Sequence, residues 1–122
     1  MRRRRVLAAG LVAALAGHAQ AAPSAVEAAR IERLIQYVES QHQLKFIRNG
    51  TAYSCQEAAQ FLRAKLDKMG EHVATAAQFI DQIGTRSSTS GEAYLIRFAD
   101  GRTLTAAQFL GDELKRIEGQ PA

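Results

Sequence analysis

The sequence contains very few of the residues that make covalent or metal cross-links. Cys55 is the only cysteine among 122 residues, so an internal disulfide is excluded and the fold must depend on packing and helix caps. His42 and His72 lie far apart, and no HExxH motif or Cys/His cluster is present. We therefore expect no metal site and no cofactor.

Long apolar runs are also absent. The apolar run at residues 6–16 is too short for a bilayer span, which needs about 20 residues. It follows four arginines at residues 2–5 and precedes Ala19-Gln20-Ala21, which is the layout of a cleavable export signal. We expect residues 1–21 to be removed and residues 22–122 to form one small domain. That domain is expected to be periplasmic or secreted, with no stable membrane anchor.

The excess of basic residues belongs to the predicted signal. The whole chain has 16 Lys and Arg against 12 Asp and Glu. Removing the four signal arginines leaves 12 − 12 = 0 formal charge for the remaining domain. Nucleic acid is therefore not an expected partner.

Four helix starts are marked by a Ser or Thr followed three residues later by Glu or Gln. This pattern is a capping box, in which each side chain accepts a hydrogen bond from the backbone amide of the other residue. The pairs are Ser24/Glu27, Ser54/Glu57, Thr75/Gln78 and Thr105/Gln108. Each pair opens a stretch with apolar residues at helical spacing, which predicts four helices.

The predicted helices cover residues 25–40, 55–69, 76–83 and 106–118, and each carries an inward stripe. The stripes contain Ile31, Leu34, Ile35 and Val38, then Ala58, Ala59, Leu62, Leu66 and Met69, then Phe79, Ile80 and Ile83, and finally Phe109, Leu110, Leu114 and Ile117.

Two hairpins are predicted between the helices. Asn49-Gly50 favours a two-residue type I′ turn that places Phe46 opposite Tyr53. Asp100-Gly101 marks the second hairpin, within residues 94–104, although its register stays open because its loop can be longer. Isolated hairpins are barely stable, so we expect both to join one antiparallel sheet. The predicted fold is a small α+β domain with about four helices packed on that sheet, in the order α-β-β-α-α-β-β-α.

Two blocks of the chain resemble the YfeK-like family of small exported bacterial proteins. The matching residues are Phe46 to Gly50, Tyr53, Glu57 to Ala59, Leu62, Arg63 and Lys65, followed by Thr75, Ala76, Phe79, Ile80, Ser87, Ser88, Ser90, Gly91 and Tyr94 to Ile96. The resemblance extends from about residue 31 to residue 114. It implies one exported domain of unknown function and supplies no mechanism.

The serine-rich loop at residues 85–91 is the candidate site. Its hydroxyls and the guanidinium of Arg86 are groups that bind phosphate, sulfate or carboxylate. Arg48, Arg63 and Lys65 can converge on this loop if the two hairpins are neighbours. The alternative is an ordinary exposed connection, for which Ser, Thr and Gly are typical. The predicted ligand-binding residues are Arg86, Ser87, Ser88, Ser90 and Arg48.

The sequence favours a non-catalytic binding or protein-interaction module, with an envelope protein or a small anion as its partner. The alternative is a small hydrolase-like enzyme that uses the serine-rich loop. That alternative requires His42 or His72 beside Ser87, Ser88 or Ser90, and no G-x-S-x-G motif supports it. No catalytic residue is therefore assigned.

Cys55 has two possible roles at the first turn of the second helix. The helix amides can lower the pKa of its thiol and make it reactive. Alternatively, its side chain packs under the first hairpin and is inert.

Overall fold

The computed structural model describes residues 22–119, and the predicted export signal lies outside the described residues. Within them, four helices and four strands follow one another. They are α1 (Ala25–Glu39), β1 (Lys45–Arg48), β2 (Thr51–Ser54), α2 (Cys55–Met69), α3 (Ala76–Gln82), β3 (Leu95–Arg97), β4 (Thr103–Thr105) and α4 (Ala106–Glu118). This order confirms the predicted α+β architecture.

The four strands form one antiparallel sheet in the order β2-β1-β3-β4. Phe46 pairs with Tyr53 on one side and with Ile96 on the other, so the two hairpins are neighbours through β1 and β3. The first turn has φ of 51° at Asn49 and 79° at Gly50. Positive φ at both positions is what a type I′ turn requires, and the predicted register of this hairpin is confirmed.

The loop of the second hairpin is longer than a two-residue Asp-Gly turn. The amide of Phe98 donates to the carbonyl of Arg102 at 2.8 Å, and the amide of Gly101 donates to the carbonyl of Phe98 at 2.9 Å. Three residues, 99–101, therefore connect the strands. Gly101 supplies the positive φ, 91°, that such loops place at their last residue.

The predicted N-cap side chain is in place at all four helix starts, but only two of the four predicted capping boxes are complete. Complete capping boxes open α2 and α3, and Thr105 accepts from the amide of Gln108 at the start of α4. At α1, Ser24 accepts from the amide of Glu27, whereas the carboxylate of Glu27 accepts from the distant amide of Ala76 at 2.8 Å. Glu27 therefore ties the start of α1 to the start of α3.

The predicted helical stripes meet in one core. Helix α1 packs against the other three helices, and α2 and α4 cover the sheet face that carries Phe46 and Ile96. The buried stripe residues are Ile31, Leu34, Ile35, Val38, Ala58, Ala59, Leu62, Phe79, Ile83, Phe109, Leu110, Leu114 and Ile117.

Met69 was wrongly assigned to the core, since it is 47% exposed. It is the last residue of α2, and its sulfur accepts from the hydroxyl of Ser88 at 3.5 Å. The end of α2 therefore contacts the serine-rich loop, while Leu66 and Ile80 are only half-buried against the core.

Cys55 is buried under the first hairpin. Its side chain is 1% exposed, and Sγ lies 3.6 Å from the carbonyl oxygen of Leu44. Burial raises the pKa of the thiol, and nearby Lys45 opposes this with a smaller effect. These features match the inert interpretation, because a protonated, inaccessible thiol is a poor nucleophile.

Candidate functional site

The serine-rich loop is fastened to the first hairpin through Ser87. This side chain is buried, and its Oγ accepts from the side-chain amide of Asn49 at 3.3 Å and from the backbone amide of Thr89 at 3.3 Å. Ser90 completes the connection by donating to Oδ1 of Asn49. Asn49 therefore serves both the type I′ turn and the contact that positions the loop.

Lys65 of α2 lies directly beneath this loop. It is 7% exposed, and its Nζ donates to the carbonyl of Arg86 at 2.8 Å and to the hydroxyl of Tyr94 at 3.0 Å. Nζ also lies 4.9 Å from the centre of the Tyr94 ring. Neutral oxygens and an aromatic face surround this ammonium group, an environment that leaves its charge uncompensated.

Arg48 lies beside Lys65. Its guanidinium is 4.5 Å from the centre of the Phe61 ring, a cation–π distance. Its Nε is buried and has no hydrogen-bond partner within residues 22–119. A buried donor without a partner costs about 1–3 kcal/mol, so a group that accepts from Arg48 would recover part of that free energy.

The two cations and Tyr94 affect one another. Burial lowers the pKa of Lys65, and the positive charge of Arg48 lowers it further. Burial also raises the pKa of Tyr94, which Arg48 opposes. None of the ion pairs among residues 22–119 includes Arg48 or Lys65. The site therefore holds two neighbouring positive charges without a carboxylate.

A cavity of about 380 Å³ opens beside these cations. We name it the basic cleft, and its lining combines three hydroxyl residues of the loop with the cationic flank of α2. The principal lining residues are Arg48, Phe61, Lys65, Lys68, Ser87 and Ser88. Its volume is in the range of small-ligand sites, and a mainly apolar lining with a few charged groups is typical of them.

The structure brings together three of the five residues that the sequence proposed for the site. Arg48, Ser87 and Ser88 line the basic cleft. Arg86 contributes its carbonyl to Lys65, whereas its exposed side chain is not among the lining residues. Ser90 is likewise outside the lining and holds Asn49.

The two further cations considered with the loop lie on different flanks of α2. Lys65 lines the cleft, whereas Arg63 faces α1, where it pairs with Glu32 at 2.5 Å. Sequence reasoning missed Phe61 and Lys68. Phe61, Lys65 and Lys68 recur at helical spacing along one flank of α2, so the periodicity that marked the core stripe also contained this signal.

His42 and the loop hydroxyls have separate partners. His42 Nδ1 lies 2.6 Å from the side-chain amide of Gln56, near the start of α2. His72 is exposed in the segment after α2, 3.9 Å from the carboxylate of Glu71. The hydrolase alternative therefore gains no support from His42. Residues 22–119 contain no cluster of three His, Cys, Asp or Glu side chains that could hold a metal ion.

The fold and the cleft together define a small α+β domain with a cationic cavity at one end of its sheet. Residues 25–118 match the model of a family of unknown function, DUF5329. The chain belongs to this family.

A relative is the uncharacterized protein YfeK of Salmonella typhimurium, which is 39% identical over 71 residues. The alignment covers 58% of this chain and 59% of YfeK. No solved structure matches the chain. The described residues include no helix long and apolar enough to cross a membrane.

Proposed function

We propose that this protein is an exported binding module whose basic cleft takes up a small anion, a carboxylate or a phosphate. The observation that carries the proposal is the pair of neighbouring cations Lys65, which is buried, and Arg48, which is half-buried with a buried Nε. Neither has an acidic partner among residues 22–119. A structural cation in this position would be expected to have a carboxylate partner, because burying an uncompensated charge is costly.

The chemistry of the cleft suits an anion with an apolar portion. Arg48 offers a planar fork of donors that matches a carboxylate or phosphate, and its Nε still has a proton to donate. Lys68 adds positive charge to the lining, and Phe61 and Met69 add apolar surface. Bound anion would also relieve the repulsion between Arg48 and Lys65.

Thermal unfolding with added phosphate, sulfate or hexanoate at constant ionic strength tests this proposal. A ligand at 100 times its dissociation constant stabilises the folded state by about 2.7 kcal/mol. We expect at least one of these anions to raise the Tm of the wild-type chain. Arg48→Met should abolish that increase, since methionine keeps apolar contact with Phe61 but carries no charge.

Two variants serve as controls for the site. Arg63→Met removes a cation from the same helix but from the flank that pairs with Glu32, so anion binding should persist. Arg86→Ala removes the loop guanidinium that the sequence predicts to bind the ligand, and it changes no lining side chain of the basic cleft. Binding that depends on Arg86 and not on Arg48 would contradict the cleft proposal.

Export is the other half of the proposal, and it is supported by the arginines at residues 2–5, the apolar run and Ala19-Gln20-Ala21. The intact mass of the protein recovered from a periplasmic extract should correspond to a chain that begins at Ala22. Recovery of the full-length chain from the cytoplasm alone would contradict export.

A further inference from the structure

A second cavity adjoins the basic cleft along α2. It has a volume of about 390 Å³ and lies between α2 and the face of the first hairpin. Its principal lining residues are Phe46, Arg48, Tyr53, Glu57, Ala58 and Phe61. Arg48 and Phe61 line both cavities, so their stacked side chains lie at the junction. We call the two cavities together the long groove.

The two ends of the long groove carry opposite charges. Lys65 and Lys68 line one end, Arg48 lies at the junction beside Lys65, and Glu57 lines the other end. The Ser54 amide donates to the Glu57 carboxylate at 3.0 Å and lowers its pKa, as Lys45 does more weakly. Glu57 is therefore ionised at neutral pH, with its second oxygen outside the capping hydrogen bond.

The separation of these charges sets the length of a ligand that reaches both. Glu57 and Lys65 are eight positions apart on α2, which at 1.5 Å per residue corresponds to about 12 Å along the helix axis. An extended peptide advances about 3.3 Å per residue, so three or four residues cover about 10–13 Å. Between the ends, the groove offers the apolar surfaces of Tyr53, Ala58 and Phe61.

We propose that the long groove binds a short apolar peptide with free termini. Its carboxylate lies against Arg48 and Lys65, its ammonium group faces Glu57, and an aliphatic side chain packs on Tyr53 and Phe61. The inference rests on the proposed anion site and adds the class of ligand. Complementary charges at both ends distinguish such a peptide from a simple apolar carboxylate, which satisfies only the cations.

Calorimetric titration of the wild-type chain tests the proposal with four probes. They are the tripeptide Ala-Leu-Ala, its C-terminal amide, its N-acetyl form and hexanoate. We expect the free tripeptide to bind most tightly and the amide not to bind measurably. The N-acetyl peptide and hexanoate should each bind about tenfold more weakly, the loss that corresponds to about 1.4 kcal/mol.

Glu57→Gln provides the matched variant for the ammonium end. The third helical position of a capping box takes either Glu or Gln, and Gln78 fills it at the start of α3. The substitution therefore preserves the start of α2. The variant should bind the free tripeptide about tenfold more weakly and the N-acetyl peptide as the wild type does. Glu71→Gln removes an exposed carboxylate outside the lining and should change neither affinity.

Two outcomes separate this inference from the anion proposal. Arg48-dependent binding of hexanoate as tight as that of the tripeptide would overturn the peptide ligand and leave the anion site supported. An unchanged tripeptide affinity in Glu57→Gln would likewise overturn the peptide ligand and leave the anion site supported. No Arg48-dependent binding of the tripeptide, hexanoate, phosphate or sulfate would overturn both proposals.

Discussion

Arg63 and Lys65 are two positions apart on α2, yet their surroundings differ completely. Arg63 faces α1, donates to Glu32 and lies 3.8 Å from Glu39, on a partly solvated flank. Lys65 is buried on the other flank beside Arg48, and its ammonium group donates to two neutral oxygens, those of Arg86 and Tyr94. On one flank of α2 the cation pairs with carboxylates of α1, whereas on the other flank the cations have no carboxylate partner among residues 22–119.

That contrast bears on function because burying a charge without a partner of opposite charge lowers the free energy of unfolding. If position 65 served packing alone, an apolar side chain would be expected there, since replacing buried charges with apolar groups is often neutral or stabilising. A pair of cations without carboxylate partners beside a cavity is typical of binding sites, which often trade stability for activity. The four predictions below change one side of this comparison at a time.

The largest effect is expected for Tyr94→Phe. Removing the hydroxyl takes one of two acceptors from the buried ammonium of Lys65, and hydrogen bonds to charged groups contribute about 1.5–3 kcal/mol. We expect the free energy of unfolding in urea to fall by about 2 kcal/mol. Tyr37→Phe is the matched control, since the Tyr37 ring stacks on Phe109 and that contact is kept. Equal losses in the two variants would contradict this role for Tyr94.

Arg48→Met should increase stability while it abolishes anion binding. The substitution removes a buried Nε without a partner and the repulsion with Lys65, at the cost of the cation–π contact with Phe61. We expect a gain of about 1 kcal/mol, which raises the Tm by about 4–8 °C in a domain of this size. A clear loss of stability would instead make Arg48 a structural residue.

A smaller effect, confined to alkaline pH, is expected from Lys65. Burial lowers the pKa of Lys65 below the ordinary lysine value of 10.5, and the positive charge of Arg48 lowers it further. Between that lowered value and 10.5, Lys65 binds more protons in the unfolded chain than in the folded chain. The contribution of Lys65 to the free energy of unfolding therefore rises with pH in this window.

The measurement is the difference in unfolding free energy between the wild type and Lys65→Met as pH increases. The pKa values of Tyr94 and Cys55 are raised, so these two groups lower the free energy of unfolding as pH rises, and both are present in the wild type and in the variant. The wild type should therefore gain relative to the variant as pH approaches 10.5. A constant difference across this range would show that burial of Lys65 does not disfavour its charge.

The smallest effect is expected for Arg63→Met on the paired flank. The side chains of Arg63 and Glu32 are 40% and 44% exposed, and exposed pairs contribute at most about 1 kcal/mol, less at high salt. Urea unfolding should show a loss of about 0.5 kcal/mol at low salt that disappears at high salt. A loss that salt does not reduce would point to packing by the arginine stem instead of charge.

The local elements were predictable because their determinants lie within a few residues of one another. Ser54 and Glu57 define the start of α2 through bonds to each other's amides. Asn49 and Gly50 define the first hairpin through their backbone angles. Glu27 shows the limit of this reasoning, because its carboxylate leaves its own cap to bind the amide of Ala76, 49 positions away.

The candidate site was only partly predictable for the same reason. The loop hydroxyls and Arg48 could be grouped once the hairpins were assumed to be neighbours. Phe61 and Lys68 were missed because a flank of a helix acquires a function only when another element faces it. Arg86 was predicted to bind the ligand through its guanidinium, whereas its backbone carbonyl is the group that contacts Lys65.

The number, type and order of the elements, the helix starts and the register of the first hairpin follow from the amino-acid sequence, because short-range hydrogen bonds and apolar periodicity specify these features. Which cations have acidic partners depends on contacts between elements that are distant in the chain. Arg63 and Lys65 are nearly adjacent in the chain, and the contacts that distinguish them come from Glu32, Arg86 and Tyr94. Electrostatic environment depends on what packs around a charge, and that depends on the whole fold.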